Sequence, residues 1–225
     1  MSEIICTVDV VLLTLLDNRL HLALLKRDHA PFAGVLALPG GYIHAEQDAD
    51  TRDAAMRTLR EKTGIASPYL EQLATFAGPG RDPRGWSISV AYYALVPSAL
   101  IDRAAHPEVA LIAVDELKGL PFDHRQIVDA ALQRVRNKSS YSSLPVHLCG
   151  DTFTLPQLQG IYETILGEAI NKVSFRRKID ELDILEAVAG QMETGKAHRP
   201  AQLYRLKKHF RQHLALTDRG LNSTA

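Results

Sequence analysis

The sequence predicts an α+β protein built as two domains, and three observations lead there. The first half alternates β-rich runs and loops with one clear helix. A polar, serine-rich stretch from Asn137 to Pro145 then interrupts the apolar pattern. Beyond it come two short amphipathic helices and a β-hairpin. A length of 225 residues suits one large or two small domains. The stretch after residue 138 is taken as the boundary, giving domains 1–138 and 151–225 joined by a linker at 139–150.

Composition narrows the class. Hydrophobic residues make up 46% and charged residues 23%, the balance of an ordinary globular protein, which excludes wholesale disorder and collagen-like repeats. Twenty-six basic residues meet twenty-six acidic ones. A net charge of zero gives no global pull toward polyanions, although it can hide a local basic patch. Cys6 and Cys149 are too few for a disulfide framework, and no Cys/His cluster suggests structural zinc. The start lacks a basic n-region. The apolar run from Val8 to Leu16 contains Asp9 and Thr14 and is too short to span a bilayer. A cytoplasmic protein with no membrane partner is expected.

The elements follow in order. Thr7–Leu16 and Leu20–Lys26 are β-rich runs joined by Asp17-Asn18-Arg19, a hairpin signal. Val35–Leu38 is a short strand stopped by Pro39-Gly40-Gly41. Thr51–Thr63 has helical spacing and stops at Gly64, a good C′ residue. Ser87–Val96 and Leu111–Val114 read as strands. His124–Arg136 puts Ile127, Val128, Ala131, Leu132 and Val135 on one face of a helix. In the second half, Thr154 and Gln157 form a capping-box pair, Pro156 sits in the first turn, and Leu155, Leu158, Ile161, Tyr162, Ile165 and Leu166 make an apolar stripe closed by Gly167. A second helix covers about Ser174–Leu182. Its Phe175, Ile179 and Leu182 should pack inward, and Arg176, Arg177 and Lys178 should face out. Ile184–Val188 and Gln202–Leu206 make the hairpin. Helix, helix, hairpin is the pattern of a winged helix-turn-helix, whose second helix enters a groove of DNA.

Local charge supports that reading. Residues 172–211 hold ten basic and five acidic side chains, a balance of +5. The basic ones cluster on the second helix, the wing and the C-terminal segment, where such folds meet phosphates.

The first domain carries a motif. Leu38-Pro39-Gly40-Gly41-Tyr42, followed by Arg57-Thr58-Leu59-Arg60-Glu61-Lys62-Thr63-Gly64-Ile65, resembles the Nudix box. That box is a Gly-rich loop and a helix reading Arg-Glu-hydrophobic-any-Glu-Glu-any-Gly. Its carboxylates, one turn apart, converge on a divalent metal that assists hydrolysis of a nucleoside diphosphate. Here Arg57 and Glu61 are kept, but Thr58 and Lys62 replace two glutamates. The stretch from Gly41 to Arg57 is two residues too long, with Glu46, Gln47 and Asp48 nearby. An ammonium opposes a metal where a ligand should stand, so no catalytic or metal-binding residue is assigned. Glu61 is expected to pair with Arg57 at i, i+4.

This degenerate box, the segment Gly80-Arg81-Asp82-Pro83-Arg84-Gly85-Trp86-Ser87, and the winged region with Ser174-Phe175-Arg176-Arg177-Lys178 and Arg199–Arg205 look like the Nudix-related transcriptional regulator family, NrtR. The likeness runs from about Thr7 to Leu206. It implies a Nudix α/β/α sandwich that senses ADP-ribose or a related NAD-derived nucleotide, and a winged domain that binds a palindromic double-stranded operator as a homodimer. Repression of NAD-metabolism genes follows from the same likeness, as does the need for no cofactor, with Mg²⁺ entering only through residual hydrolase activity.

Candidate ligand residues are Arg27, Gly40, Gly41, Lys62, Arg81, Asp82, Arg84 and Trp86. Guanidinium groups pair bidentately with diphosphate oxygens, and an indole offers a stacking face. The plainer alternative is a hairpin turn with an Arg–Asp pair, a half-buried Trp and strand-end charges at Lys26 and Arg27. For Lys62, direct contact with phosphate is the hypothesis. Candidate DNA contacts are Lys172, Ser174, Arg176, Arg177, Lys178 and, on the wing, Arg199. His124 is expected to cap or pack rather than catalyse. Two other functions remain open at this point. One is an active Nudix hydrolase using substitute carboxylates such as Glu46 or Asp48. The other is a module whose basic helices bind a protein.

Overall fold

A computed structural model of the chain describes residues 4–67, 69–193 and 200–217. The chain forms two compact units that divide between Arg134 and Val135.

The first unit is organised by one seven-stranded sheet made from β1 (Ile5–Leu16), β2 (Arg19–Lys26), β3 (Leu36–Ala37), β4 (Gly40–Tyr42), β5 (Glu71–Gly78), β6 (Ser87–Leu95) and β7 (Val109–Ala113). Three helices join it: α1 (Thr51–Thr63), α2 (Ser98–Ala104) and α3 (His124–Ser139). β1 is central. One edge runs parallel to β6, from Ile5 opposite Ser87 to Leu13 opposite Leu95. Its other edge is shared: Thr7–Asp9 pair with β4, and Leu13–Leu16 pair with β2. The β1–β2 turn is tight because Asp17 and Asn18 both take left-handed φ, 49° and 57°. Asp and Asn tolerate that region, and such turns match the twist of a hairpin.

Alternation along β1 sorts its side chains. Val8, Val10 and Leu12 join a core with Ala54, Ala55 and Leu59 of α1 and with Ile65, Leu70, Tyr92 and Ile101. Thr7, Asp9, Val11 and Leu13 point the other way. That side carries Asp9, which meets His124 at the start of α3. α1 starts where the Asp50 side chain accepts the Asp53 N–H and stops at Gly64, whose φ of 69° suits a residue without Cβ.

The second unit contains α4 (Leu155–Leu166), α5 (Lys172–Leu182) and the hairpin β8 (Leu185–Glu193) and β9 (Ala201–Leu206). Thr154 and Gln157 make the reciprocal capping box that starts α4. The Asn171 side chain accepts the N–H groups of Val173 and Ser174 and so starts α5. Tyr162 and Phe175 meet edge to face at 5.4 Å and lock the two helices together. Phe175, Ile179 and Leu182 are buried, as the helical spacing predicts.

Two expectations are corrected. The segment 139–150 is not a linker. The division falls inside α3, and Ser139, Ser142, Ser143 and the turn Leu144–Leu148 are buried within the second unit. Serine hydroxyls pass for polar in a sequence, but here each finds a partner: Ser139 donates to the Val135 carbonyl and Ser142 to the Lys138 carbonyl, both one turn back, while Ser143 accepts the N–H of the distant Ala215. Lys178 is buried rather than outward, because it follows Phe175 at i+3 and lies on the inner face. Finally, β5 and α2 had no counterpart in the sequence reading. Arg199 lies outside the described residues.

Candidate ligand pocket and nucleic-acid interface

A cleft of about 360 Å³ opens in the first unit where the polar start of β1 meets β4, α1 and the start of α3. Arg27, Gly40, Gly41, Lys62, Arg81, Asp82 and Arg84 all line it; Trp86 does not, and stands 41% exposed. Asp9, Tyr42, Phe122 and His124 line it as well. None of these four is among the expected ligand residues: Tyr42 stands in the Gly-rich loop of the box, and Asp9, Phe122 and His124 come from distant parts of the chain.

The two glycines permit close approach. A Cβ on Gly40 would sit 2.1 Å from Asp9 Oδ1, and one on Gly41 would sit 3.0 Å from Thr58 Oγ1. A side chain at Gly40 would displace the Asp9 carboxylate, and one at Gly41 would press on Thr58, so glycine lets β4 lie close to both β1 and α1. The Thr58 hydroxyl is buried and without a hydrogen-bond partner.

On the box helix, Arg57 holds Asp48 with two bonds, Nε to Oδ1 at 2.7 Å and Nη2 to Oδ2 at 2.8 Å, and donates to the Tyr42 carbonyl at 2.9 Å. The guanidinium pulls the Asp48 carboxyl down to about 2. Glu61 makes the expected i, i+4 pair with Arg57, at a longer 3.3 Å. Asp48 is thus committed to Arg57, whereas Glu61 keeps an exposed side chain that also lines the cleft. Lys62 lines the cleft, and crowding by its walls lowers its pKa, with Asp28 opposing that shift. Among the described residues, no group of three His, Cys, Asp or Glu converges as metal ligands. A hydroxyl at 58, an ammonium at 62 and a carboxylate already chelated by Arg57 do not fit a hard divalent cation.

The opposite wall is a buried polar network. Arg81 donates through Nε and Nη2 to both oxygens of Asp123 at 2.9 Å and through Nη1 to Ser87 Oγ at 3.2 Å. Its side chain is only 7% exposed, and it lies 3.5 Å from Asp9. Ser89 donates to Asp9 at 2.6 Å. His124 Nδ1 accepts the Leu38 N–H at 3.1 Å, which puts the ring proton on Nε2, 3.5 Å from Asp9 Oδ1. Burial lowers the His124 pKa, so the imidazole is neutral. Arg84 bonds Asp82 through Nε and Nη2 and also donates to the Tyr42 hydroxyl. Burial raises the Asp82 pKa, but Arg84 outweighs it and the net shift is downward. Arg27 donates to the Pro31 carbonyl and stacks over the Phe122 ring at 5.0 Å. The cleft therefore offers cations at Arg27, Lys62 and Arg84, aromatic faces at Tyr42 and Phe122, and a rigid acidic floor at Asp9. A negatively charged ligand with a flat ring suits those walls.

The second unit presents α5. Lys172, Val173, Arg176 and Arg177 are exposed, and Ser174 is half-buried. The first turn contains no acidic residue, which leaves the positive end of the helix dipole uncompensated. Arg177 lies 3.8 Å from Glu181, an exposed and weak pair.

Residues 7–132 match the NUDIX domain model, and residues 145–206 match that of the NrtR DNA-binding winged helix domain. The chain is 40% identical over 203 residues to the "ADPR responsive transcriptional repressor NtrR" of Acinetobacter baylyi, covering 88% of this chain and 80% of the relative. It matches Shewanella oneidensis NrtR complexed with a 27mer DNA at a TM-score of 0.87 and 36% identity, over 96% of this chain and 98% of that one. The NUDIX domain of the same Shewanella protein complexed with ADP ribose matches at a TM-score of 0.55 and 36% identity, over 60% of this chain and 90% of that one. With a degenerate Nudix unit, a winged unit and likeness across nearly its whole length, the chain belongs to the NrtR family.

Proposed function

We propose that the protein is an ADP-ribose-responsive transcriptional repressor that binds a palindromic operator as a homodimer. One observation carries the reading: the box helix offers the cleft an ammonium at Lys62 in place of a metal-binding carboxylate, while Arg57 chelates Asp48 and leaves Glu61 as the one carboxylate of the box on the cleft. A diphosphate is attracted by that arrangement, whereas the metal needed to hydrolyse it is not held. In this reading Lys62, Arg84 and Arg27 face the diphosphate. Tyr42 or Phe122 stacks on a ring. Arg81 braces the wall through Asp123 rather than gripping the ligand. In the winged unit, Lys172, Ser174, Arg176 and Arg177 meet the duplex.

Regulation follows by linkage. A ligand shifts an equilibrium only by its differential affinity for the two states. ADP-ribose weakens operator binding by the same factor by which operator weakens ADP-ribose binding. The test is a mobility shift with the full chain and its own upstream DNA, titrated with ADP-ribose. Salt-sensitive binding that ADP-ribose reverses is expected. Phosphate-ester products from ADP-ribose with Mg²⁺ or Mn²⁺, well above background, would favour the hydrolase reading instead.

A further inference from the structure

Val173 is 77% exposed, more than any other large apolar side chain named among the described residues. It sits in the first turn of α5, beside Lys172 and Ser174, with Arg176 and Arg177 one turn on along the same face. Nothing local accounts for a bare valine there. A β-branched residue lowers helix propensity, and an acidic one would suit the helix dipole better. The buried apolar residues of α5 that hold it to the unit, Phe175, Ile179 and Leu182, lie on the other side. The turn itself is already fixed by Asn171, which accepts the N–H groups of Val173 and Ser174 at 3.0 and 3.1 Å. Val173 is therefore held rigidly, pointing away from its own domain.

We propose that Val173 is a base-reading residue that packs its methyl groups against the 5-methyl of a thymine in the major groove. This rests on the DNA-binding reading above and deepens it. The N-terminal residues of a recognition helix are the ones that reach base edges. The cations around Val173 suit phosphates, which position the protein without reading sequence. An apolar side chain among them has one matching feature in the major groove, since the thymine methyl is the only apolar group that a base edge displays there. Val173 thus supplies discrimination where Arg176 and Arg177 supply affinity.

The test uses the full chain and a duplex enriched by it from a random library. Each thymine of the enriched half-site is replaced in turn by deoxyuridine, which removes only the methyl. At one thymine the replacement should weaken wild-type binding by about fourfold, the worth of one buried methyl. Val173→Ala should weaken binding to the thymine duplex by a similar factor and be indifferent to that replacement. Arg177→Ala should weaken binding yet keep the sensitivity. Indifference of the wild type at every thymine, or full sensitivity in Val173→Ala, overturns the proposal while leaving DNA binding intact. Failure to enrich any duplex overturns the DNA-binding reading and this proposal together. Unchanged amide signals from the winged unit in Val173→Ala, outside the neighbours of the substitution, confirm that the variant is folded.

Discussion

Lys62 and Arg81 stand on opposite walls of one cleft, yet their charges are committed differently. Lys62 lines the cleft, with only diffuse acidic neighbours. Arg81 is forked onto Asp123 and largely out of solvent. Lys62→Glu restores the residue type of an active box and reverses the charge facing the ligand. ADP-ribose affinity should fall by about tenfold or more, read by calorimetry. Unchanged affinity would remove Lys62 from the site. For Arg81 the informative change is in its partner. Asp123→Ala leaves a buried guanidinium with Ser87 and a more distant Asp9, and should cost about 3–5 kcal/mol in urea unfolding. A loss below about 1 kcal/mol would mean that Arg81 is solvated and free to reach a ligand. The sequence shows Arg81 as a candidate ligand because its neighbours Asp82 and Arg84 are close in the chain. Its true partner is 42 residues away, and Asp9 meets Ser89 across 80. No local pattern encodes such pairings.

At the scale of elements, legibility followed the caps. α1 and α4 begin at Asp50 and Thr154 and end at Gly64 and Gly167, and both were readable to the residue. β5 was not, because it buries a single residue, Leu73, and its alternation changes phase at an irregularity between Gln72 and Ala74. α2 was missed because it is seven residues long and follows Pro97 without a side-chain cap. The glycine turn and the box helix were legible because they lie within one short stretch, whereas the acidic floor is assembled from distant strands. On α5 the period of 3.6 separates two neighbours in sequence. Arg177 is exposed and Lys178 is buried. Arg177→Ala should weaken operator binding at least about tenfold with ADP-ribose affinity unchanged. Lys178→Met, apolar and of similar length, should leave operator binding within about twofold, since the side chain lies on the inner face of α5 and not toward the duplex. A mobility shift in which Lys178→Met loses as much as Arg177→Ala would return Lys178 to the interface.

For the whole molecule, the zero net charge is a cancellation: residues 172–211 carry +5, and the rest of the chain balances them. Acid should expose a further asymmetry, in stability. His147 lies buried in the turn before α4, and burial lowers its pKa from 6.5 to about 4. The unfolded chain takes up a proton near pH 6.5, while the folded one waits until about pH 4. Between those values the unfolded state binds more protons, so stability falls as pH falls and levels off below pH 4. The total loss is about 3 kcal/mol at 1.36 kcal/mol per pKa unit. The Asp48–Arg57 pair acts lower still. Its carboxylate is held near pKa 2, so its contribution disappears only as pH drops from about 4 toward 2. Urea unfolding of the winged unit, followed by its own amide signals, should therefore weaken first between pH 6.5 and 4, and His147→Leu should flatten that slope. A slope unchanged in His147→Leu would assign the titration to another group.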